Sequence, residues 1–337
     1  MTLNTFNDVS SVLEEELQTL TYLEKLRNRL YTSYYIRKKH GKREINTYIY
    51  KVDEEELEES TDLLYTDLLY SEIVKIRTYS HDLERVHRKI DSRILDTVKL
   101  PSCVNGFKKG ESIKKAVEPH VGKAYVACLD IHNFFPSVTS DAVLEGLKNI
   151  GFGSDAAWLI ARLVTYKGHL PQGAVTSPKA SNIAFMKVDM KILELVQEYG
   201  ADYTRYADDL IFSANEPLDS LVDKVIEEIE NSGYKINREK VKFYGPSEPH
   251  YILGMIANHK LNVPREKRRN LEAAIHNYIV KHQVPQDVED PVRYKKTLLG
   301  KAAYMLSVNP SLGRLAKLRK QLQDFNPEGL EYTKIII

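Results

Sequence analysis

Cysteine is scarce in this 337-residue chain: Cys103 and Cys128 stand far apart, and no Cys-x-x-Cys pair occurs. That argues against a structural zinc site and a disulfide scaffold, and two isolated thiols suit a reducing cytosol. Long apolar runs are missing too. None approaches the roughly 18 residues of a membrane span. The opening Met1-Thr2-Leu3-Asn4 does not begin a basic region followed by an apolar one. The expectation is a soluble, cytoplasmic protein with no membrane partner. Net charge is lacking as well: 48 Lys and Arg face 47 Asp and Glu, leaving +1. The overall basicity common among nucleic-acid binders is therefore absent, and only the local distribution of charge is informative. No internal repeat or low-complexity stretch is visible. What is present is ordinary core material, 42% apolar residues, enough to exclude disorder and to build two or three lobes.

Along the chain, residues 8–32 place Val12, Leu13, Leu17, Leu20, Leu23 and Leu26 at helical spacing. Residues 33–50 read as strand–turn–strand, with Tyr34-Tyr35-Ile36 and Ile45–Tyr50 flanking His40-Gly41-Lys42. An acidic run at 53–60 reads as a solvated helix start or loop, and 62–98 as two helices. A short strand, Ala124–Leu129, ends at Asp130. Helical periodicity follows over 140–165, then a Gly/Pro-containing loop over 168–178 and a long helix over 178–199. Two strands near Asp202–Tyr206 and Leu210–Ser213 flank Ala207-Asp208-Asp209. An amphipathic helix over 217–232 closes at Gly233, strands follow near 241–244, 251–257 and 260–263, and the chain after Pro264 reads as all-helical to about 325. From 124 to 257 the strand–helix–strand–strand–helix–strand order fits a split βαβ unit, an α+β arrangement with helices on one face of an antiparallel sheet.

The carboxylates carry the chemistry. Adjacent Asp208 and Asp209 lie between two β-rich runs, where aspartates can serve as plain turn residues. Asp130 is a further carboxylate at the end of an apolar strand, followed by Phe134-Phe135-Pro136. A carboxylate buried there requires a compensating partner or a cation. Nucleotidyl transfer supplies a reason for such a group: it uses two divalent ions roughly 3.5–4 Å apart, held by a few carboxylates and the substrate phosphates. Carboxylates from two neighbouring strands can converge on such a pair, Asp130 from the first strand and Asp208 and Asp209 from the hairpin.

These residues resemble those of reverse transcriptases. Tyr206-Ala207-Asp208-Asp209 is similar to the Tyr-x-Asp-Asp motif, and Leu129-Asp130-Ile131 through Phe134-Phe135-Pro136-Ser137 to the first palm motif of the bacterial enzymes. Leu170-Pro171-Gln172-Gly173, with Ser177-Pro178 and Asn182, resembles the motif on the nucleotide side, and Ile252-Leu253-Gly254 the one before the thumb. The resemblance spans roughly residues 30–325 and rests on the ordered set of motifs. It implies a right-hand polymerase: fingers over 33–123 after an N-terminal helical segment over 1–32, a ferredoxin-like palm over 124–263 with its associated helices at 140–199, and a helical thumb over 264–337. It implies two Mg²⁺ ions, with Mn²⁺ as a substitute, ligated by Asp130, Asp208, Asp209 and the Ile131 carbonyl. It assigns Phe135 as the aromatic gate against a ribose 2′-hydroxyl, Gln172 and Gly173 to the incoming nucleotide, and Lys38 and Arg43 of the 37–45 hairpin to its triphosphate.

The segment from Lys260 to Phe325 holds 14 Lys and Arg against 6 Asp and Glu. Arg265, Lys267, Arg268 and Arg269 form one cluster, and Arg314, Lys317, Arg319 and Lys320 another. Such faces neutralise backbone phosphates without reading sequence, which suits a thumb holding a template–product duplex. Asn105-Gly106-Phe107, Ser112-Ile113 and His120-Val121-Gly122 resemble the retron branch of the family. Retron enzymes usually carry Asn-Ala-x-x-His and Val-Thr-Gly; this chain has Ala116-Val117-Glu118-Pro119-His120 and Ile252-Leu253-Gly254. The retron resemblance implies a structured noncoding RNA as template and primer, a DNA product, dNTP substrates, an antiphage setting and a separate effector protein. Two other readings stay open: a non-retron defence enzyme with protein-primed or untemplated synthesis, and a catalytically silent RNA-binding subunit.

Overall fold

In the computed structural model, the structure describes residues 2–29, 31–37, 44–50, 81–327 and 331–335. Lys38, Arg43 and the acidic run at 53–60 lie outside them. The chain divides into two units, each described by itself: the first from 1–112, 127–212 and 218–242, the second from 113–126, 213–217 and 243–337.

Four strands form the central sheet: β3 (Tyr125–Asp130), β4 (Asp202–Tyr206), β5 (Asp209–Ala214) and β6 (Lys242–Tyr244), in the spatial order β4-β5-β3-β6. The two-residue link between β4 and β5 permits only antiparallel pairing. The Ile131↔Ile236 bridge beyond β3 is also antiparallel. The first strand in sequence thus lies between the third and the fourth, with the second at the edge, which is the layout of the split βαβ unit. The apolar runs explain it: Val126, Ala127 and Leu129 of β3 and Leu210, Ile211 and Phe212 of β5 are all buried.

In the first unit, helix Ser177–Glu198 carries Ala180, Ile183, Phe185, Val188 and Ile192 into the core. Helix Ser140–Asn149 packs against it at Gly146, where a Cβ would meet the Ile183 carbonyl oxygen at 2.6 Å, so only glycine permits the approach. The periodicity over 140–165 is divided into Ser140–Asn149 and Ser154–Val164 around Gly151-Phe152-Gly153.

The helical N-terminal segment is divided in two. Helix Phe6–Leu13 opens with a capping box between Thr5 and Asp8, then stops because Glu14 adopts φ 50. Leu17–Leu26 forms a second helix. The break presents Glu14 and Glu15 to helix His81–Arg93: Arg93 donates to Glu14 at 3.0 Å, Lys89 to Glu15 at 2.6 Å, and Arg85 pairs with Glu15. Strands β1 (Tyr31–Arg37) and β2 (Glu44–Tyr50) pair antiparallel, Tyr31 opposite Tyr50 and Arg37 opposite Glu44, as expected of the two strands; the turn expected at His40-Gly41-Lys42 lies outside the described residues.

In the second unit, β7 (Tyr251–Ile252) and β8 (Met255–Ile256) form a small hairpin. The strand expected at 260–263 is reduced to a single bridge from Asn262 to Ile256. Helices Arg265–Val280, Pro291–Val308 and Gly313–Asp324 follow. This part is not all-helical: β9 (Gln283–Pro285) pairs in parallel with β10 (Thr333–Ile335). Three-residue strands leave too short a period-2 pattern to register in sequence. Among the described residues, no helix is long and apolar enough to cross a membrane.

Candidate active site

The sheet brings Asp130, the last residue of β3, beside the turn that starts β5. The Ile131 amide donates to the Asp208 carbonyl at 2.9 Å, so Asp130 and the distant pair Asp208-Asp209 share one end of two adjacent strands. All three lie in the first unit. Asp130 is buried, and Asp208 and Asp209 are half-buried.

Asp130 is held by the segment that leads into β6. Lys240 donates to Oδ2 at 2.6 Å, Asn237 donates weakly to Oδ1 at 3.3 Å, and the Asn237 amide donates to the Asp130 carbonyl at 2.8 Å. Burial raises the Asp208 carboxyl above its ordinary range, with the charge of Asp130 adding to it. Burial, then the charges of Asp208 and Asp130, push Asp209 up to about 6. The carboxylates thus repel one another across a partly dehydrated space. Among the described residues, no group of three or more His, Cys, Asp or Glu side chains is gathered at cation-holding spacing, and Asp130 is turned onto Lys240. The donor set nevertheless fits a hard divalent ion: oxygen ligands only, with excess negative charge answered in part by one lysine.

A buried polar network lies beneath the turn, and sequence reasoning missed it. Arg205 of β4 and Asp189 of helix Ser177–Glu198 are both fully buried and form a two-pronged pair, Nε to Oδ1 at 2.8 Å and Nη2 to Oδ2 at 2.6 Å. Arg205 Nη1 also donates to Asn182 Oδ1 at 3.0 Å and to the Ala207 carbonyl at 3.1 Å. The guanidinium lies 5.0 Å from the Phe185 ring centroid and 5.9 Å from that of Phe134. Tyr203 adds its hydroxyl to Asp189 at 2.8 Å. One signal was available: an arginine inside a β-run must find partners if that strand is buried.

The segment Cys103–Phe107 runs alongside. The Arg205 amide donates to the Cys103 carbonyl at 2.7 Å and the Asn105 amide to the Arg205 carbonyl at 2.9 Å. Gly106 sits so close to the turn that a Cβ would lie 2.4 Å from the Ala207 nitrogen. Burial pushes the thiols of Cys103 and Cys128 up to about 12, with a nearby aspartate assisting in each case, so both are inert at neutral pH.

Of the residues assigned to the nucleotide, Phe135 is half-buried, its ring 6.0 Å from those of Phe107 and Phe134. Phe134 is core, edge-on to Phe185 at 5.6 Å. Gln172 is half-buried, and Gly173 is exposed with φ 89. In the second unit, Arg265, Lys267 and Arg269 are exposed and Arg268 partly so, all at the start of helix Arg265–Val280. Arg314, Lys317 and Lys320 are exposed and Arg319 partly so, on helix Gly313–Asp324. Arg268 and Arg314 both approach Glu272, at 3.7 and 3.4 Å, and line a groove of about 570 Å³ with Arg269 and His276.

The chain is similar to several known proteins. Residues 72–257 match the family model described as Reverse transcriptase (RNA-dependent DNA polymerase). The chain is 31% identical over 259 residues to the Retron Mx65 reverse transcriptase of Myxococcus xanthus, covering 71% of this chain and 59% of that protein. It is 32% identical over 202 residues to the Retron Ec86 reverse transcriptase of Escherichia coli, covering 59% of this chain and 63% of that one. The chain thus spans about three fifths of the length of these curated relatives. A telomerase from Candida albicans superposes with a TM-score of 0.46 at 10% identity, over 88% of this chain and 64% of that one. With Asp130, Asp208 and Asp209 on one sheet end and the family match spanning them, the chain belongs to the reverse transcriptase family, and the curated relatives it resembles are retron enzymes.

Proposed function

We propose that this protein is an RNA-directed DNA polymerase that copies part of a structured noncoding RNA into DNA, in a retron antiphage system. The observation that carries it is the meeting of Asp130, Asp208 and Asp209 at one end of an antiparallel sheet, in a chain of this family. Asp130, Asp208, Asp209 and the Ile131 carbonyl would hold two Mg²⁺ ions, or Mn²⁺ in their place. Bound there, the ions supply activation of the primer hydroxyl and charge neutralisation of the triphosphate.

The chain's own residues do the rest. Phe135, braced between Phe107 and Phe134, forms the wall that excludes a 2′-hydroxyl and so favours dNTPs. Gln172 and Gly173 face the incoming nucleotide from their loop, and Lys38 and Arg43 bind its triphosphate. The palm comprises the central sheet and its helices, the fingers precede it, and the thumb is the helical region after 264. Basic residues in the first turns of helix Arg265–Val280 oppose its macrodipole. Their placement is therefore better explained by an anionic ligand than by helix stability. With Arg314, Lys317, Arg319 and Lys320 they grip the phosphates of the RNA template and its DNA product. We place the enzyme in the cytoplasm, with a separate effector protein.

The test is to purify the protein from its host and sequence the nucleic acid that accompanies it, with and without RNase. A defined DNA joined to one structured RNA, absent when Asp208→Asn is substituted, is the expected result. DNA joined to protein, or DNA of random sequence, would replace the retron reading with protein-primed or untemplated synthesis. Asp208→Asn should lower synthesis by at least two orders of magnitude while leaving RNA retention intact.

A further inference from the structure

The buried network beneath the catalytic turn has two outputs. Arg205 Nη1 donates to the Ala207 carbonyl at 3.1 Å, one residue before Asp208. Ala207 itself has φ 59, a left-handed conformation that a non-glycine residue keeps only when its surroundings impose it. The second output passes through Asn182. Its Oδ1 accepts from Arg205 at 3.0 Å, while its Nδ2 donates to the Gly106 carbonyl at 2.9 Å. Gly106 precedes Phe107, which has φ 58 and whose ring lies 6.0 Å from that of Phe135. Asn182, Asp189 and Arg205 are each fully buried, so none of them touches a substrate directly.

We propose that Arg205, fixed by Asp189, is a positioning residue for the Asp208–Asp209 turn, and that Asn182 carries the same fixation to the Phe107–Phe135 wall and thereby to sugar selection. This rests on the polymerase reading given above.

The side-chain chemistry makes the two outputs separable. Arg205→Lys keeps the charge but lacks the planar fork that serves Asp189, Asn182 and Ala207 together. Asn182→Asp keeps an acceptor for Arg205 and loses the donor to Gly106. Asn182→Ser is too short for either. Hydrogen exchange of peptides covering 103–108 and 205–212 reads the two segments without requiring activity. Primer extension with dNTPs against rNTPs reads their consequences.

Arg205→Lys is expected to speed exchange at 205–212 and to lower kcat at least thirtyfold, with KM for the nucleotide within threefold of wild type. Asn182→Asp is expected to speed exchange at 103–108 and to lower discrimination against rNTPs about tenfold, by a larger factor than it lowers kcat. Asn182→Ser should show both effects, and together with Asn182→Asp it decides the question if Arg205→Lys does not fold. Unchanged exchange at both segments in folded variants would overturn the proposal, as would kcat and discrimination falling in the same proportion in every variant. A wild-type chain without polymerase activity would sink the polymerase reading instead, and the exchange measurements would still decide whether the network holds the two segments.

Discussion

The Lys240 ammonium lies 2.6 Å from Oδ2 of Asp130, on the carboxylate that a divalent ion would claim. The Lys240 side chain is 52% exposed and that of Asp130 only 9%. The pair is therefore screened on the lysine side and contributes on the scale of an exposed ion pair, about 0.5–1 kcal/mol. A cation binding Asp130 must displace it. Lys240→Gln should lower the Mg²⁺ concentration for half-maximal synthesis about two- to fivefold. A titration of extension rate against Mg²⁺ checks this, and an unchanged or raised midpoint would mean that Lys240 does not compete for the site.

Phe135 is half-buried between two other phenylalanine rings, so trimming it removes a ring without emptying the core. Phe135→Ala is expected to raise ribonucleotide incorporation. Phe134→Ala, by contrast, removes a buried ring and should cost about 3–5 kcal/mol of stability. Competition assays with dNTP and rNTP mixtures, with melting curves for both variants, separate the two roles. Unchanged sugar selectivity in Phe135→Ala would remove its assignment as the gate.

The exposed cations of the second unit predict a salt signature. Each phosphate contact contributes close to one unit of slope in log affinity against log salt. Replacing Arg265, Lys267 and Arg269 together by Gln should reduce the slope for a template–product duplex by about two to three units, uniformly across sequences. Binding isotherms at several salt concentrations provide the measurement, and an unaltered slope would place the duplex elsewhere.

His87 gives a pH dependence of stability. It is fully buried, its Nε2 is 2.9 Å from the Leu163 carbonyl oxygen, and burial depresses it to about 4 from an ordinary value of 6.5. Between those values the unfolded chain takes up a proton that the folded chain refuses, so stability falls as pH drops below 6.5. At pH 5 the loss is about 2 kcal/mol, at roughly 1.4 kcal/mol per pH unit. Urea denaturation of the wild type and His87→Gln at pH 7.5 and pH 5 should show a smaller loss in the variant. Equal losses would show that His87 is not a source of acid sensitivity.

Much of this site was legible because its signals are local. Asp130 follows an apolar run, Asp208-Asp209 interrupts two β-rich runs, and the loop at 168–178 is punctuated by Gly and Pro. Period and punctuation survive in one dimension. The break at Glu14 was not legible, because the contacts that hold it come from Arg85, Lys89 and Arg93, far along the chain. The β9–β10 pair escaped for the same reason: two three-residue strands, about fifty residues apart, carry no readable pattern of their own.

The sequence by itself determined the α+β class and the order of the central strands and helices, and it marked Asp130, Asp208 and Asp209 as candidates, since these depend on side-chain type and spacing along the backbone. Only the tertiary structure decided what surrounds them. Lys240 meets Asp130 because the segment after helix Asp219–Asn231 returns beside β3. Arg205 becomes the centre of a buried network because β4 lies against helix Ser177–Glu198, where Asp189 and Asn182 face it. A charge within a strand has no fixed meaning until packing removes its water; once buried, it must be matched group by group, and the residues that match it come from elements the local pattern does not connect.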